Sequence, residues 1–199
     1  CAGAPPPAVQ CPDPADLPAY WDFMRDTQPE RLGGNTFTTV CSDITGDGAF
    51  DLYNAEIHHW WAGEGSDSSE LLVNTSDASG IHFTRPGNDK TGLVWPHPGV
   101  DWNEGGLYAA AADIDNDARE DLIVGASDYD DQYGMYFHQK ADGTFEEIAQ
   151  ASGFHHACAH NPLVVDFDRD GDLDIVVGSS RMRQWCSDAW ADRKSTRLN

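Results

Sequence analysis

The stretch "VVDFDRDGDLDIVVG", residues 164–178, decides the fold of this chain. Five aspartates occupy alternate positions from Asp166 to Asp174, and valine and isoleucine flank them on both sides. Such flanks favour buried β-strands, whereas like charges packed into a short segment repel one another. The pattern therefore predicts a tight loop between two strands, with a bound cation balancing the charge of the loop.

The same pattern occurs twice more in the chain. Residues 41–53 read "CSDITGDGAFDLY" and residues 111–125 read "AADIDNDAREDLIVG". Aligned on the first aspartate, the copies define loop 1 (residues 43–51), loop 2 (residues 113–121) and loop 3 (residues 166–174). The first aspartates of successive copies lie 70 and 53 residues apart. Repeat distances of this size are typical of solenoids, propellers or arrays.

A second element recurs between the loops. Residues 71–83 read "LLVNTSDASGIHF" and residues 135–145 read "MYFHQKADGTF". In both, an apolar run precedes a turn that contains glycine and a second strand that ends in phenylalanine. This order predicts β-hairpins, so that loop, strand and hairpin form one repeating unit.

The spacing of the acidic residues indicates a calcium site in each loop. Calcium takes roughly 6–8 oxygen ligands at about 2.3–2.6 Å, which side chains at positions 1, 3, 5 and 9 and the carbonyl of position 7 can supply. The candidate ligands, for up to three Ca²⁺ ions, are Asp43, Thr45, Asp47, Ala49 and Asp51 in loop 1; Asp113, Asp115, Asp117, Arg119 and Asp121 in loop 2; and Asp166, Asp168, Asp170, Asp172 and Asp174 in loop 3.

The loops are not EF-hands and they are not identical. An EF-hand requires glutamate at position 12 and flanking helices, whereas position 12 here is asparagine or valine and the flanks resemble strands. Thr45 removes one charge from loop 1, and Ala118 replaces the glycine of a left-handed turn in loop 2. Loop 3 matches the pattern fully and is expected to bind calcium most tightly.

The composition limits the class of partner. The chain has 199 residues, 34 acidic and 12 basic, and a net charge of −22. Nucleic acids and anionic membrane surfaces are therefore excluded as expected partners, since both require a basic face. A hydrophobic content of 40% supports a folded core, and no run approaches the roughly 18–20 apolar residues of a transmembrane helix.

At these loops the sequence resembles the FG-GAP/VCBS repeat family, which includes the integrin α-subunit propeller and a bacterial, cartilage-acidic-protein-like branch. The stretch "ADGTFEEIAQASGF", residues 141–154, is similar to the hairpin and connector of that branch. The resemblance extends over residues 33–190. It implies an all-β fold, a partial β-propeller of about three four-stranded blades that belong to a larger propeller.

The resemblance also implies a domain plan. We expect a Pro-rich N-terminal linker at 1–32, blade 1 at 33–104, blade 2 at 105–157, a truncated blade 3 at 158–192 and a tail of foreign appearance at 193–199. The chain is expected to be a fragment of a longer propeller. Cys1 is either the lipidated first residue of a processed lipoprotein or simply the start of the fragment.

The function implied by the resemblance is a calcium-binding scaffold that acts in binding or adhesion without catalysis. Its expected location is extracellular, at the cell surface or in the periplasm, with calcium and a protein or glycan ligand as partners. The alternatives are a carbohydrate-binding module, a structural spacer on a lipid anchor, and a polysaccharide hydrolase or lyase. The enzyme would need a pocket that unites Glu56, His58, Asp101 and Glu104.

Two further clusters and the cysteines have ordinary structural explanations. The segment "HHACAH", residues 155–160, offers transition-metal ligands but is expected to be a polar connector. The segment "EIHHWW", residues 56–61, could stack on sugar, although blade packing is the simpler explanation. Cys41 is expected to be buried, and any disulfide is expected to be Cys1–Cys11 or Cys158–Cys186.

Overall fold

The computed structural model describes residues 36–56, 69–94, 106–125, 133–154 and 159–179. These ranges form three antiparallel sheets of four, four and two strands, which we call blades 1, 2 and 3. Blade 1 contains β1 (Thr36–Ser42), β2 (Asp51–Glu56), β3 (Glu70–Asn74) and β4 (Phe83–Thr84); blade 2 contains β5 (Tyr108–Ala112), β6 (Asp121–Gly125), β7 (Met135–Gln139) and β8 (Phe145–Glu147); blade 3 contains β9 (Ala159–Val165) and β10 (Asp174–Ser179).

Each acidic loop joins the first two strands of its blade in the same register. The residue before position 1 pairs with position 9 in all three cases: Ser42 with Asp51, Ala112 with Asp121, and Val165 with Asp174. Strands therefore flank every loop, and the rejection of an EF-hand is confirmed. The order of strands in each four-stranded sheet follows the order of the chain, as successive hairpins require.

The two predicted hairpins are present as β3–β4 and β7–β8. Val73 pairs with Thr84 in blade 1, and Gln139 pairs with Phe145 in blade 2. Two single-turn helices follow the hairpins, α1 (Asn88–Thr91) and α2 (Ala149–Ser152). Neither these nor any other helix in the described ranges has the length and apolar character needed to cross a bilayer.

Blade 2 lies between two hydrophobic cores. Leu122 and Val124 of β6 pack in the core shared with blade 1, whereas Ile123 packs in the core shared with blade 3. Since successive side chains of a strand point to opposite faces, one strand can contribute to both cores. All five residues of β6 are buried as a result. The first strands of the blades contact one another, with β5 between β1 and β9, so the sheets form a partial β-propeller.

Cys41 departs from the expectation. Its thiol is free and the residue is exposed. Its neighbour Val40 packs against the core between blades 1 and 2, so the alternation of β1 directs Cys41 to the opposite face. The corresponding Ala111 of β5 packs against that core, because blade 1 covers its face of the strand. The segments 1–32 and 193–199 and the other four cysteines lie outside the described residues.

Candidate functional site

The three loops share one backbone scaffold, which starts from the aspartate at position 1. Its carboxylate accepts the N–H of position 6 in every loop. The N···O distances are 3.0 Å for Gly48 to Asp43, 2.9 Å for Ala118 to Asp113 and 3.2 Å for Gly171 to Asp166. Short Asp side chains bond readily to backbone groups a few residues ahead, which explains why aspartate rather than glutamate suits this position.

A second turn follows the first in each loop. The carboxylate at position 5 accepts the N–H of position 7, with N···O distances of 2.9 Å for Ala49 to Asp47, 2.9 Å for Arg119 to Asp117 and 3.0 Å for Asp172 to Asp170. The backbone of position 7 is thus hydrogen-bonded to the side chain of position 5 in all three loops.

Positions 4 and 6 both adopt left-handed backbone conformations. At position 4, φ is 71° for Gly46, 60° for Asn116 and 64° for Arg169. At position 6, φ is 90° for Gly48, 67° for Ala118 and 101° for Gly171. The requirement at position 6 was expected from the sequence, including the unfavourable Ala118, whereas the requirement at position 4 was missed. Asparagine at position 4 was the available signal, since it tolerates this conformation.

Loops 2 and 3 bring acidic side chains together. In loop 2, one carboxylate oxygen from each of Asp113, Asp115 and Asp117 lies within 4.8 Å of the others. In loop 3 the same holds for Asp166, Asp168 and Asp174. Positions 1 and 3 therefore converge in both loops, joined by position 5 in loop 2 and by position 9 in loop 3.

Loop 1 behaves differently because Thr45 occupies position 3. Its hydroxyl donates to Oδ2 of Asp51 at 2.9 Å, and its backbone N–H donates to the same oxygen at 2.8 Å. Among the residues that the structure describes, loop 1 does not bring three carboxylates within 4.8 Å. At position 3, loop 1 thus has a hydroxyl that donates a hydrogen bond, whereas loops 2 and 3 have a carboxylate that can only accept one.

The donor atoms of the loops are suited to a hard cation. Oδ1 of Asp43 is buried and has no hydrogen-bond partner. A buried carboxylate oxygen without a donor is costly, and a cation would satisfy it. The converging groups in loop 3 are carboxylates alone, which is the ligand type that calcium prefers.

Asp117, a candidate calcium ligand in loop 2, already has a cationic side chain as its partner. The guanidinium of Arg119 forms an ion pair with Oδ2 of Asp117, and its Nε donates to the carbonyl of Gln139 at 3.0 Å. This cation neutralises part of the charge of loop 2, a contribution that sequence reasoning missed because it considered only the backbone of Arg119. In loop 3, Oδ1 of Asp172 accepts a hydrogen bond from Asn116 of loop 2 at 3.4 Å.

The aspartate at position 9 is a buried anchor in blades 1 and 2. Asp51 and Asp121 are both fully buried. Oδ1 of Asp51 accepts the N–H of Asn74 at 2.8 Å, and Oδ1 of Asp121 accepts the N–H of Gln139 at 2.9 Å. These donors lie on the third strand of each blade, so the aspartate at position 9 links its loop to the hairpin through a hydrogen bond.

Side chains of β7 complete the surroundings of Asp121. The hydroxyl of Tyr136 donates to its Oδ2 at 2.8 Å, and Nδ1 of His138 lies 3.1 Å from its Oδ1. Burial raises the pKa of Asp121 above its ordinary value, although the hydrogen bonds from Gln139 and Tyr136 act in the opposite direction. Burial and the adjacent carboxylate also raise the pKa of the Tyr136 phenol.

Most residues of the other sequence clusters lie outside the part of the chain that the structure describes. Glu56 is buried at the end of β2, while His58, Trp60, Trp61, Asp101 and Glu104 lie outside the described residues. His155, His156 and Cys158 also lie outside them. His160 is described, and its ring lies 6.1 Å from that of Tyr108, centroid to centroid.

Residues 113–177, from loop 2 through loop 3, match the family model described as FG-GAP-like repeat. This part of the chain is similar to an FG-GAP repeat. The matched segment begins at loop 2, after β5, and runs through β6, the β7–β8 hairpin, β9 and loop 3 into β10.

Two relatives extend the similarity to known proteins beyond the matched repeat. It is 28% identical to Cartilage acidic protein 1 of Xenopus tropicalis over 158 residues, which cover 78% of this chain and 23% of the relative. It is 28% identical to Cartilage acidic protein 1 of Homo sapiens over 146 residues, which cover 71% of this chain and 20% of the relative. The chain thus spans less than a quarter of the length of these relatives.

Proposed function

We propose that this chain is part of a calcium-binding β-propeller that acts outside the cytoplasm as a scaffold for binding or adhesion. The observation that carries the proposal is the acidic loop, which has one hydrogen-bonded scaffold in three blades and converging carboxylates in loops 2 and 3. The proposed calcium ligands are the fifteen loop residues: Asp43, Thr45, Asp47, Ala49, Asp51, Asp113, Asp115, Asp117, Arg119, Asp121, Asp166, Asp168, Asp170, Asp172 and Asp174.

Calcium would stabilise the blades through these loops. Each loop connects two paired strands, so an ion bound there holds the ends of both strands and offsets the repulsion between carboxylates. A ligand present at a hundredfold excess over its Kd stabilises the folded state by about 2.7 kcal/mol. Calcium sites of extracellular modules bind with Kd values of roughly 0.1–1 mM, so millimolar external calcium occupies them.

A scaffold without catalysis is favoured over an enzyme. The acidic residues of the described loops already serve as turn-forming and strand-anchoring groups, as the hydrogen bonds of Asp43, Asp51 and Asp121 illustrate. The match of residues 113–177 to the FG-GAP-like repeat model supports a binding role, and a protein or glycan is the proposed partner. The blade boundaries proposed are 33–104, 105–157 and 158–192, with 1–32 as a linker and 193–199 as a tail.

The test is a thermal melt of the protein in 2 mM calcium (a concentration chosen from the roughly millimolar range of extracellular modules) and in EDTA. With a Kd of roughly 0.1–1 mM, one site at this concentration stabilises the folded state by about 0.6–1.8 kcal/mol, so the Tm is expected to rise by about 1–7 °C, given roughly 2–4 °C per kcal/mol for a chain of this size. The variant Asp168→Asn removes a charge from loop 3 while preserving the shape of the side chain, and is expected to reduce the calcium-dependent rise.

Asp142→Asn is the matched control. Asp142 lies in the turn between β7 and β8, where its carboxylate also accepts a backbone N–H two residues ahead, from Thr144 at 2.9 Å. The substitution removes the same charge from an exposed turn that belongs to no converging group in the described residues. If calcium raises the Tm of wild type and both variants equally, loop 3 is not a calcium site. If calcium has no effect on a cooperative melt of the wild type, the calcium function is wrong.

A further inference from the structure

His138 gives loop 2 a ligand atom that no loop residue supplies. It lies on β7, and its Nδ1 is 3.1 Å from Oδ1 of Asp121 and 3.4 Å from Oδ2 of Asp115. The two carboxylates come from positions 9 and 3 of loop 2, so three separate parts of the blade meet at one point. The side chains of His138 and Asp115 are 23% and 44% exposed, which leaves a route for an ion from solvent.

Blade 1 provides an internal comparison for this arrangement. Asn74 and Gln139 are equivalent, because each donates its backbone N–H to the position-9 aspartate of its own loop. The residues before them, Val73 and His138, are therefore equivalent too. Position 3 also differs between the blades, with Thr45 in loop 1 and Asp115 in loop 2.

The change from Thr45 to Asp115 and the change from Val73 to His138 are chemically related. In blade 1, the hydroxyl of Thr45 donates to the position-9 carboxylate, and Val73, the residue equivalent to His138, packs against the hydrophobic core. In blade 2, Asp115 has no proton to donate, so two carboxylates face each other. The imidazole nitrogen that replaces the valine lies close to both of them. A single Nδ1–H group directed at two carboxylates is shared between them, whereas a bound cation would contact all three groups at once.

The grouping of acidic residues also differs between loops 2 and 3. In loop 3, position 9 joins positions 1 and 3 around one point. In loop 2, position 9 groups instead with Asp115 and His138, and Asp115 is shared with the group of Asp113 and Asp117. His138 is thus part of a second cluster at loop 2, whose potential ligand atoms are one imidazole nitrogen and two carboxylate oxygens.

The donor set and the distances favour a transition ion over calcium. Calcium is bound by oxygen ligands, whereas imidazole is a preferred ligand of zinc, copper, nickel and iron. Ligand atoms about 2.0–2.1 Å from a tetrahedral zinc ion lie about 3.3 Å apart. The Nδ1···O separations of 3.1 and 3.4 Å bracket this edge length. Tyr136 and the backbone of Gln139 orient Asp121, as outer partners commonly orient metal-bound carboxylates.

We propose that Asp115, Asp121 and His138 form a binding site for a divalent transition ion of the zinc class, with a fourth position open to water. The proposal goes beyond the calcium function, because it adds a ligand from β7 and a different class of ion. Asp115 and Asp121 are also proposed calcium ligands of loop 2, so the two ions would compete there. Zinc binding and the calcium-dependent rise in Tm are measured separately, so the two proposals can fail separately.

The experiment is a calorimetric titration with Zn²⁺ in calcium-free buffer, because Asp115 and Asp121 are also proposed calcium ligands of loop 2 and calcium would compete for them. His138→Val and Asp115→Thr introduce the residues that blade 1 carries at these positions. Each is expected to weaken zinc binding by at least roughly tenfold, since losing even an outer partner of a metal site typically costs 10–100-fold. The calcium-dependent rise in Tm is expected to persist in His138→Val.

The matched control is His82→Val in the hairpin of blade 1. His82 is also near a carboxylate, with its Nε2 3.8 Å from Oδ1 of Asp77, but its side chain is 52% exposed and it belongs to no converging group in the described residues. Zinc affinity is expected to be unchanged. The segment 155–160 is identical in all variants, so any zinc bound there contributes equally to each comparison.

A second measurement does not depend on whether a variant folds. In wild-type protein labelled with ¹⁵N-histidine, zinc is expected to shift the Nδ1 resonance of His138 at substoichiometric concentrations. Zinc affinity that is equal in wild type and His138→Val, or a His138 ring whose resonances do not respond to zinc, would overturn the proposal. A zinc response without any calcium effect would support this site while refuting the calcium function.

Discussion

At the scale of single residues, the position-9 aspartates have a structural role that does not require a metal. Asp51 is fully buried and accepts three hydrogen bonds, one from the N–H of Asn74 and two from Thr45. Buried carboxylates persist in proteins when donors satisfy their oxygens, and here two of the donors are backbone N–H groups that would otherwise lose a partner. Asp51 therefore holds loop 1 against β3 in the absence of any ion.

Asp51→Asn is expected to destabilise the protein by about 1–3 kcal/mol, because the amide presents N–H groups to a backbone donor and leaves it unsatisfied. The measurement is urea unfolding in EDTA, so that calcium does not contribute. Asp47→Asn is the control, since Asp47 is exposed and its Oδ1 acceptor for Ala49 is retained in the amide. Equal stability of Asp51→Asn and wild type in EDTA would show that the loss of these bonds is compensated.

At the scale of elements, the two hairpins use the same turn chemistry. In β7–β8, Oδ1 of Asp142 accepts the N–H of Thr144 at 2.9 Å and its hydroxyl at 2.6 Å. In β3–β4, Asp77 accepts the corresponding bonds from Ser79 at 2.7 and 2.5 Å. These hydrogen bonds, with the side-chain bond as the largest cause, lower the pKa of both carboxyl groups below the ordinary value of 3.8.

Thr144→Val is expected to raise the pKa of Asp142 towards its ordinary value, since valine keeps the shape and removes the hydroxyl donor. In the wild type, the folded pKa lies below the unfolded pKa. Ionised Asp142 therefore contributes stability above pH 3.8, and this contribution is lost as the pH falls through the folded pKa. The variant loses less stability over this acidic range.

The measurement for this prediction is a ¹³C NMR titration of the carboxyl groups between about pH 2 and pH 6, a range that extends on both sides of the ordinary aspartate pKa. Asp77 serves as an internal control within the same samples, because its partner Ser79 is unchanged. A variant in which the pKa of Asp142 stays at its wild-type value would show that the hydroxyl of Thr144 is not its main determinant.

At the scale of the whole molecule, polar links between blades accompany the two hydrophobic cores. Nε2 of Gln139, a buried side chain of blade 2, donates to the carbonyl of Ile44 in loop 1 at 2.7 Å. The hydroxyl of Ser42 in blade 1 donates to Glu120 in loop 2 at 2.6 Å. Gln139 therefore contacts two loops, since its backbone N–H also holds Asp121. The packing of adjacent blades and the shape of the acidic loops are coupled through this residue.

Gln139→Leu is expected to destabilise the protein by about 1–3 kcal/mol, because the carbonyl of Ile44 loses its donor in a buried environment. The bond from the backbone of Gln139 to Asp121 remains, so the loss reports the contact between blades. Asn74→Leu is the control at the equivalent position of blade 1, where the side chain donates to Phe50 in an exposed setting. The free energy of unfolding from urea denaturation decides the comparison, and equal losses in the two variants would contradict the prediction.

The sequence by itself determined the strand–loop–strand units, the hairpins, the β-propeller class and the acidic content of the loops. These features depend on spacing within short segments. Alternating apolar flanks specify the strands, and aspartates at positions 1 and 5 form turns with backbone groups two to five residues ahead. Loop 3, which matches the pattern fully, places Asp166, Asp168 and Asp174 together, as a local pattern can.

Only the tertiary structure decided which side chains from other strands reach the loops. His138 and Tyr136 contact Asp121 because β7 pairs with β6, and Gln139 contacts Ile44 because blade 2 packs on blade 1. The exposure of Cys41 likewise depends on which face of β1 is covered. Such contacts follow from strand register and from the stacking of sheets, which join residues far apart in the chain and leave no trace in the spacing of a nine-residue motif.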